Sequence, residues 1–137
     1  MRLLLLLLMI SFSLYAEDIR LGTVTANILR MRARAGSNFE ILGQLKKGDK
    51  VKALDTKNGW LKIVAPPGLS GWLPKKYIDE NGTVIGDNVN LRAGANIANS
   101  SFGKVYKGNK LNILGYKKLW AKIEVPNSAH VWVGANF

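Results

Sequence analysis

Displaced by 60 residues, this chain matches itself. Gly22 through Tyr77 aligns with Gly82 through Phe137 without a gap, and about 17 of the 56 positions are identical. Gly22-Thr23-Val24 returns as Gly82-Thr83-Val84, Arg32-Ala33 as Arg92-Ala93, Trp60 as Trp120 and Trp72 as Trp132. The copies fill nearly everything after the first twenty residues, which leaves no length for a separate catalytic domain. A unit this small is near the lower limit for a lone domain, and there is no cysteine to brace it with a disulfide. Packing alone must hold it. Closing a sheet into a barrel is one route, because closure removes exposed strand edges.

Inside each copy the apolar residues alternate with polar ones, which is the strand period. Lys50-Val51-Lys52-Ala53, Lys110-Leu111-Asn112-Ile113 and Lys122-Ile123-Glu124-Val125 all follow it. Turn formers separate the runs: Lys47-Gly48-Asp49, Asn58-Gly59 and Pro66-Pro67-Gly68, with Lys107-Gly108-Asn109 and Pro126-Asn127-Ser128 in the second copy. Asn-Gly suits a tight hairpin, since both residues tolerate positive φ. The expected fold class is all-β, with two units over 20–79 and 80–137 joined by the short linker Asp79-Glu80-Asn81.

Ahead of the copies, Arg2, the apolar run Leu3 to Ile10 and the softer stretch to Ala16 have the order of a secretory signal. The run is shorter than the ~20 apolar residues needed to cross a bilayer. Residues 1–16 are therefore expected to be cleaved, sending the chain to the periplasm or cell exterior with no stable membrane anchor. The net charge is +11, with Lys46-Lys47, Lys75-Lys76 and Lys117-Lys118 as paired cations. This excess suits anionic polymers or simply a solvated face. Export argues against nucleic acid.

The alternation also sets the facing of the tryptophans. Side chains two apart share a face, so Ala121, Ile123 and Val125 take the core while Trp120 falls with Lys122 and Glu124. Trp60 likewise falls with Lys62, opposite Leu61 and Ile63. Such an indole is either a platform for a ligand or a cover folded over the core.

In their order and spacing, these residues resemble the bacterial Src-homology-3 (SH3) family. The resemblance rests on Asn90-Leu91-Arg92-Ala93-Gly94, Ile41-Leu42-Gly43-Gln44-Leu45-Lys46-Lys47-Gly48, Asn58-Gly59-Trp60-Leu61-Lys62-Ile63 and Gly71-Trp72-Leu73-Pro74-Lys75-Lys76-Tyr77. It covers both copies and implies two tandem small SH3-like β-barrels of five to seven strands. It also implies a cell-envelope binding role through an aromatic groove, with peptidoglycan peptide as ligand or, alternatively, an envelope protein. By position the first copy offers Trp60, Trp72, Pro74 and Tyr77, and the second Trp120, Trp132 and Phe137, with Arg32 and Arg92 near the first loops. Each has a plainer reading: Trp72 and Trp132 as core packing, the arginines as loop braces on carbonyls, Pro74 as the end of an edge strand. Arg34 stands where a turn glycine is usual, an uncomfortable place for a side chain if φ must be positive, and Gly94 keeps the glycine; Gly134 replaces Pro74, Phe137 replaces Tyr77, and Lys118-Leu119 replaces Asn58-Gly59.

No catalytic set can be assembled. Thiolate chemistry is excluded by the lack of cysteine, His130 is the single histidine, and the acidic residues are scattered. No cofactor or metal is expected. The sequence reading is a non-catalytic binding protein, with a protein adaptor or a lysine-driven polyanion binder as alternatives.

Overall fold

A computed structural model describes residues 19–135. The leader expected over 1–16 and the candidate Phe137 lie outside that range. Eleven strands run β1 (Arg20–Thr23), β2 (Ile28–Arg32), β3 (Ile41–Lys46), β4 (Lys50–Lys57), β5 (Trp60–Val64), β6 (Ser70–Pro74), β7 (Asn88–Arg92), β8 (Ser101–Tyr106), β9 (Ile113–Lys117), β10 (Trp120–Glu124) and β11 (His130–Gly134). A single 3-10 turn, Lys75–Tyr77, follows β6.

Two antiparallel sheets result, but they do not coincide with the two sequence units 20–79 and 80–137. One sheet has the order β1-β4-β5-β11-β2-β3 and the other β8-β7-β6-β10-β9. The closing strand of the second copy, β11, lies between β5 and β2 of the first. Its counterpart β6 lies between β10 and β7 of the second. The copies have exchanged their last strands within one chain.

The exchange is a long antiparallel crossing. Trp60↔Gly134 through Val64↔His130 pair on one side, and Ser70↔Glu124 through Pro74↔Trp120 on the other. Between them the Ala65 N–H donates to the Ala129 carbonyl and the Val125 N–H to the Leu69 carbonyl, both at 2.9 Å. Pro66, Pro67 and Pro126 sit in the connections. A proline biases the residue before it toward extended backbone, which favours carrying the chain across over folding it straight back.

Side-chain volume fixes which strand goes where. Gly71 of β6 is buried, and a Cβ there would lie 2.8 Å from Leu91 and 3.1 Å from Phe102. Val131 holds the equivalent place in β11 and is fully buried in the other sheet. An unexchanged chain would put Val131 where only Gly71 fits. Hydrophobic residues from both sheets form one continuous core, including Ile63, Leu73, Leu91, Ile123, Val131 and Val133.

Local details follow the sequence with three corrections. The alternating faces are as expected: Ala121 and Ile123 are 0% exposed and Val125 4%. Asn58 and Gly59 take φ of 50° and 83° at the β4–β5 turn, as a tight hairpin requires. The run expected as a strand from Lys110 to Ile113 is mostly a single bridge, Thr83↔Lys110, with β9 beginning at Ile113. Asp79 causes this: its carboxylate accepts the N–H groups of Asn81 and Thr83, and its carbonyl that of Gly82. The linker so curled cannot extend along the sheet as β1 does beside β4.

The expected strain at Arg34 is absent too, because neither Arg34 nor Gly94 has positive φ. Glycine is suited to position 94 by space, since a Cβ there would sit 2.4 Å from the Asn99 side chain. The third correction concerns how the aromatic candidates group.

Candidate functional site

Strand exchange regroups the candidates. Read by copy, Trp60, Trp72, Pro74 and Tyr77 belong together; in space Trp60 lies in the six-stranded sheet, Trp72 and Pro74 in the five-stranded one, and Tyr77 in the 3-10 turn that follows it. Trp132 is separated from Trp120 in the same way. What the structure brings together is Pro74 and Tyr77 of the first copy with Arg92 and Trp120 of the second.

These four residues line an open groove of about 560 Å³. Trp120 starts β10 on the outward face and pairs directly with Pro74, so ring and pyrrolidine form one wall. Tyr77 is set by the 3-10 turn that Pro74 begins. The floor comes from β7, whose Asn88, Asn90 and Arg92 alternate outward while Val89 and Leu91 enter the core. Ile97, 76% exposed, stands on the loop beyond. Trp120, Tyr77 and Pro74 are half-buried, leaving part of each ring open to a partner.

Arg92 has a second task. Its guanidinium donates to the Asn99 carbonyl at 3.0 Å, as that of Arg32 does to the Phe39 carbonyl at 2.9 Å. Both arginines thus brace the first loops of their copies. Glu40 supports the second loop from outside: its carboxylate accepts the Ser100 N–H at 2.7 Å and the Asn99 amide at 3.3 Å. Burial alone would raise the Glu40 pKa, but these donors and its own backbone N–H outweigh it and hold the value at about 2. Arg34 adds a bond from Nε to the Ser101 carbonyl at 3.1 Å. The loop bearing Ile97 is therefore held by the other copy.

The remaining candidates lie outside this groove, Trp72 in the same sheet and Trp60 and Trp132 in the other. Trp72 pairs with Arg92 on one side and Lys122 on the other, with the Lys122 ammonium 5.9 Å from its ring. Trp132 has the matching neighbours Arg32 and Lys62 in the other sheet, and Trp60 faces Gly134. Both tryptophans are half-buried with a cation alongside, so core packing does not fully account for them.

Chemically the groove offers aromatic faces, two side-chain amides, the cations Lys76 and Arg92, and one carboxylate, Asp87. That suits an extended polar chain carrying both charges. Among the described residues no cluster of His, Cys, Asp or Glu could hold a metal. The sequence reading had missed Asn88 and Asn90, although their alternation with Val89 and Leu91 was there to read. Ile97 and Asp87 carry no periodic signal; only the fold brings them to the site.

Comparisons with known proteins agree with this architecture. Over 135 aligned residues the chain is 30% identical to the "Putative N-acetylmuramoyl-L-alanine amidase YrvJ" of Bacillus subtilis, covering 84% of this chain and 26% of that protein. It is 50% identical over 43 residues to a beta-N-acetylglucosaminidase of the same organism, covering 31% of this chain and 5% of that protein. The chain thus spans about a quarter or less of these relatives. No solved structure matches it. The bacterial SH3 domain family matches residues 27–79 and again 87–137, and the chain belongs to that family.

Proposed function

We propose that this chain is an exported, non-catalytic module that holds peptidoglycan peptide in the Trp120 groove. One observation carries the reading: aromatic, amide and charged groups from both copies converge on a single open cleft. The relatives supply the ligand class. One is named for the N-acetylmuramoyl-L-alanine bond and the other for a glucosaminide, so they cleave different linkages. A segment shared by two such enzymes is better suited to attachment than to cleavage. Export is supported by the leader read over residues 1–16.

Binding follows from the groove's mixed lining. An extended peptide lays apolar surface on Trp120 and Tyr77, Asn88 and Asn90 pair with its backbone, and Asp87 and Arg92 meet its terminal charges. The test is co-sedimentation of the mature chain with purified sacculi. Trp120→Ala removes the platform and is expected to weaken retention at least ~10-fold, as for the central aromatic of an interface. Equal recovery of the variant and the parent would overturn the groove as the site.

A further inference from the structure

A second cleft shares Pro74, Lys76 and Trp120 with the groove, and its chemistry differs. It measures about 580 Å³ and is lined by Pro74, Lys75, Lys76, Leu119 and Trp120, with no acidic residue. Leu119, at the tip of the β9–β10 hairpin, is 78% exposed, and Tyr116 is 50% exposed. The tip is fastened to the 3-10 turn: the Lys75 N–H donates to the Leu119 carbonyl at 2.8 Å, and the Lys75 ammonium stands 5.0 Å from the Tyr116 ring. Lys117 and Lys118 precede Leu119 in the turn. The apolar point thus has Lys75 and Lys76 in the wall of its cleft, the Lys76 ammonium 5.0 Å from the Tyr77 ring, and Lys117 and Lys118 beside it in the turn.

The corresponding β4–β5 turn of the first copy keeps Lys57 for Lys117 and Trp60 for Trp120 but lacks the rest. At the matching positions the first copy has Thr56 for Tyr116, Asn58 for Lys118 and Gly59 for Leu119. Lys75 and Lys76 correspond to Ala135 and Asn136. One scaffold therefore carries a polar turn in the first copy and an apolar, cationic one in the second. Neither the fold nor the peptide groove requires Leu119 or Lys118, because the first copy builds its hairpin without them.

We propose that the β9–β10 tip docks reversibly on an anionic phospholipid surface. Leu119 and the edge of Trp120 enter the headgroup region, where an amphipathic indole is at home, and Lys75, Lys76, Lys117 and Lys118 meet lipid phosphates. Charge complementarity selects this occupant over a neutral apolar partner, since four lysines around two apolar side chains would remain unpaired against uncharged protein. Each lysine near such a surface strengthens partitioning about fivefold, and the attraction fades with salt.

The test is sedimentation of the mature chain with 100 nm vesicles of phosphatidylcholine, with and without about a third phosphatidylglycerol. Binding is expected to the anionic vesicles and not to the neutral ones. Leu119→Ser should lower partitioning about tenfold, as expected for withdrawing a leucine side chain from an apolar environment. Lys117→Gln/Lys118→Gln should lower it about 25-fold. The exchange Lys118→Asn/Leu119→Gly, which installs the first copy's turn, serves as a variant whose hairpin is already known to form in this fold. Equal binding to neutral and anionic vesicles would overturn the proposal, as would salt-sensitive binding unmoved by Leu119→Ser. Retention of Leu119→Ser on sacculi, expected at the parent level, reads the peptide groove separately.

Discussion

The two sheets of this molecule use equivalent strands and have diverged where their closing strands end. In the five-stranded sheet Trp120 is faced by Pro74, and the chain continues into a 3-10 turn carrying Tyr77. In the six-stranded sheet Trp60 is faced by Gly134. The first has a walled groove; at the second the wall residue has no side chain. The two copies thus supply two frames, and strand exchange ties them together. The pairing of each sheet with the other copy's closing strand means that a site on one depends on residues of both.

Interchanging the residues that distinguish the exchanged strands should have the largest effect. Val131→Gly empties a fully buried position in the middle of the six-stranded sheet. Lost burial, a cavity and added backbone freedom should together cost about 3–4 kcal/mol. Gly71→Val forces side-chain atoms toward Leu91 and Phe102, for which overpacking costs about 1–3 kcal/mol. Urea denaturation of both variants measures this. If Gly71→Val were neutral, the volume match would not be what assigns β6 to the second copy.

At the groove the comparison becomes one between tryptophans. Trp120→Ala should weaken retention on sacculi by about 2 kcal/mol, while Trp60→Ala, on the sheet without the proline wall, should change it by less than about twofold. Equal losses would mean that both sheets bind, and the asymmetry between Pro74 and Gly134 would then have no functional weight.

A smaller effect tests the tie between the first loops. Against the opposing effect of burial, the Glu40 pKa is lowered from 4.5 to about 2 by the Ser100 and Asn99 donors of the second copy together with its own backbone N–H. Its ionised form is favoured by folding, so the stability it contributes is fully present above pH 4.5. It is lost as pH falls toward 2. Because the carboxylate is partly exposed and solvent screens it, about 1 kcal/mol is expected. Glu40→Gln should lower the urea midpoint at pH 7 and match the parent near pH 2. A constant difference between them at all pH values would mean that the charge is not what holds the loop.

Much of this was legible beforehand, for local reasons. The facing of Ala121, Ile123 and Trp120 follows from the two-residue period, and the Asn58-Gly59 turn from the φ values those residues accept. The exchange of β6 and β11 was not. Both strands carry the same pattern in the two copies, so periodicity cannot say which sheet each completes; that depends on the volume match of Gly71 with Leu91. The groove was hidden for the same reason, since its Pro74 and Trp120 come from different copies. The apolar tip lay in plain sequence as Lys118-Leu119, where it read only as a changed turn.

That turn yields the smallest and most discriminating prediction. Lys118 holds φ at 55°, a left-handed conformation that costs most residues about 1 kcal/mol and asparagine less. The first copy meets the same need with Asn58 at φ 50°. Lys118→Asn alone should therefore stabilise the chain by about 0.5 kcal/mol, a rise of roughly 2 °C in Tm by calorimetry. The same substitution should weaken anionic vesicle binding about fivefold. Opposite signs in the two measurements separate a surface role from a folding one, because a variant that is more stable and binds less has not lost binding through unfolding. If stability and vesicle binding both fell, the lysine would belong to the hairpin rather than to a partner.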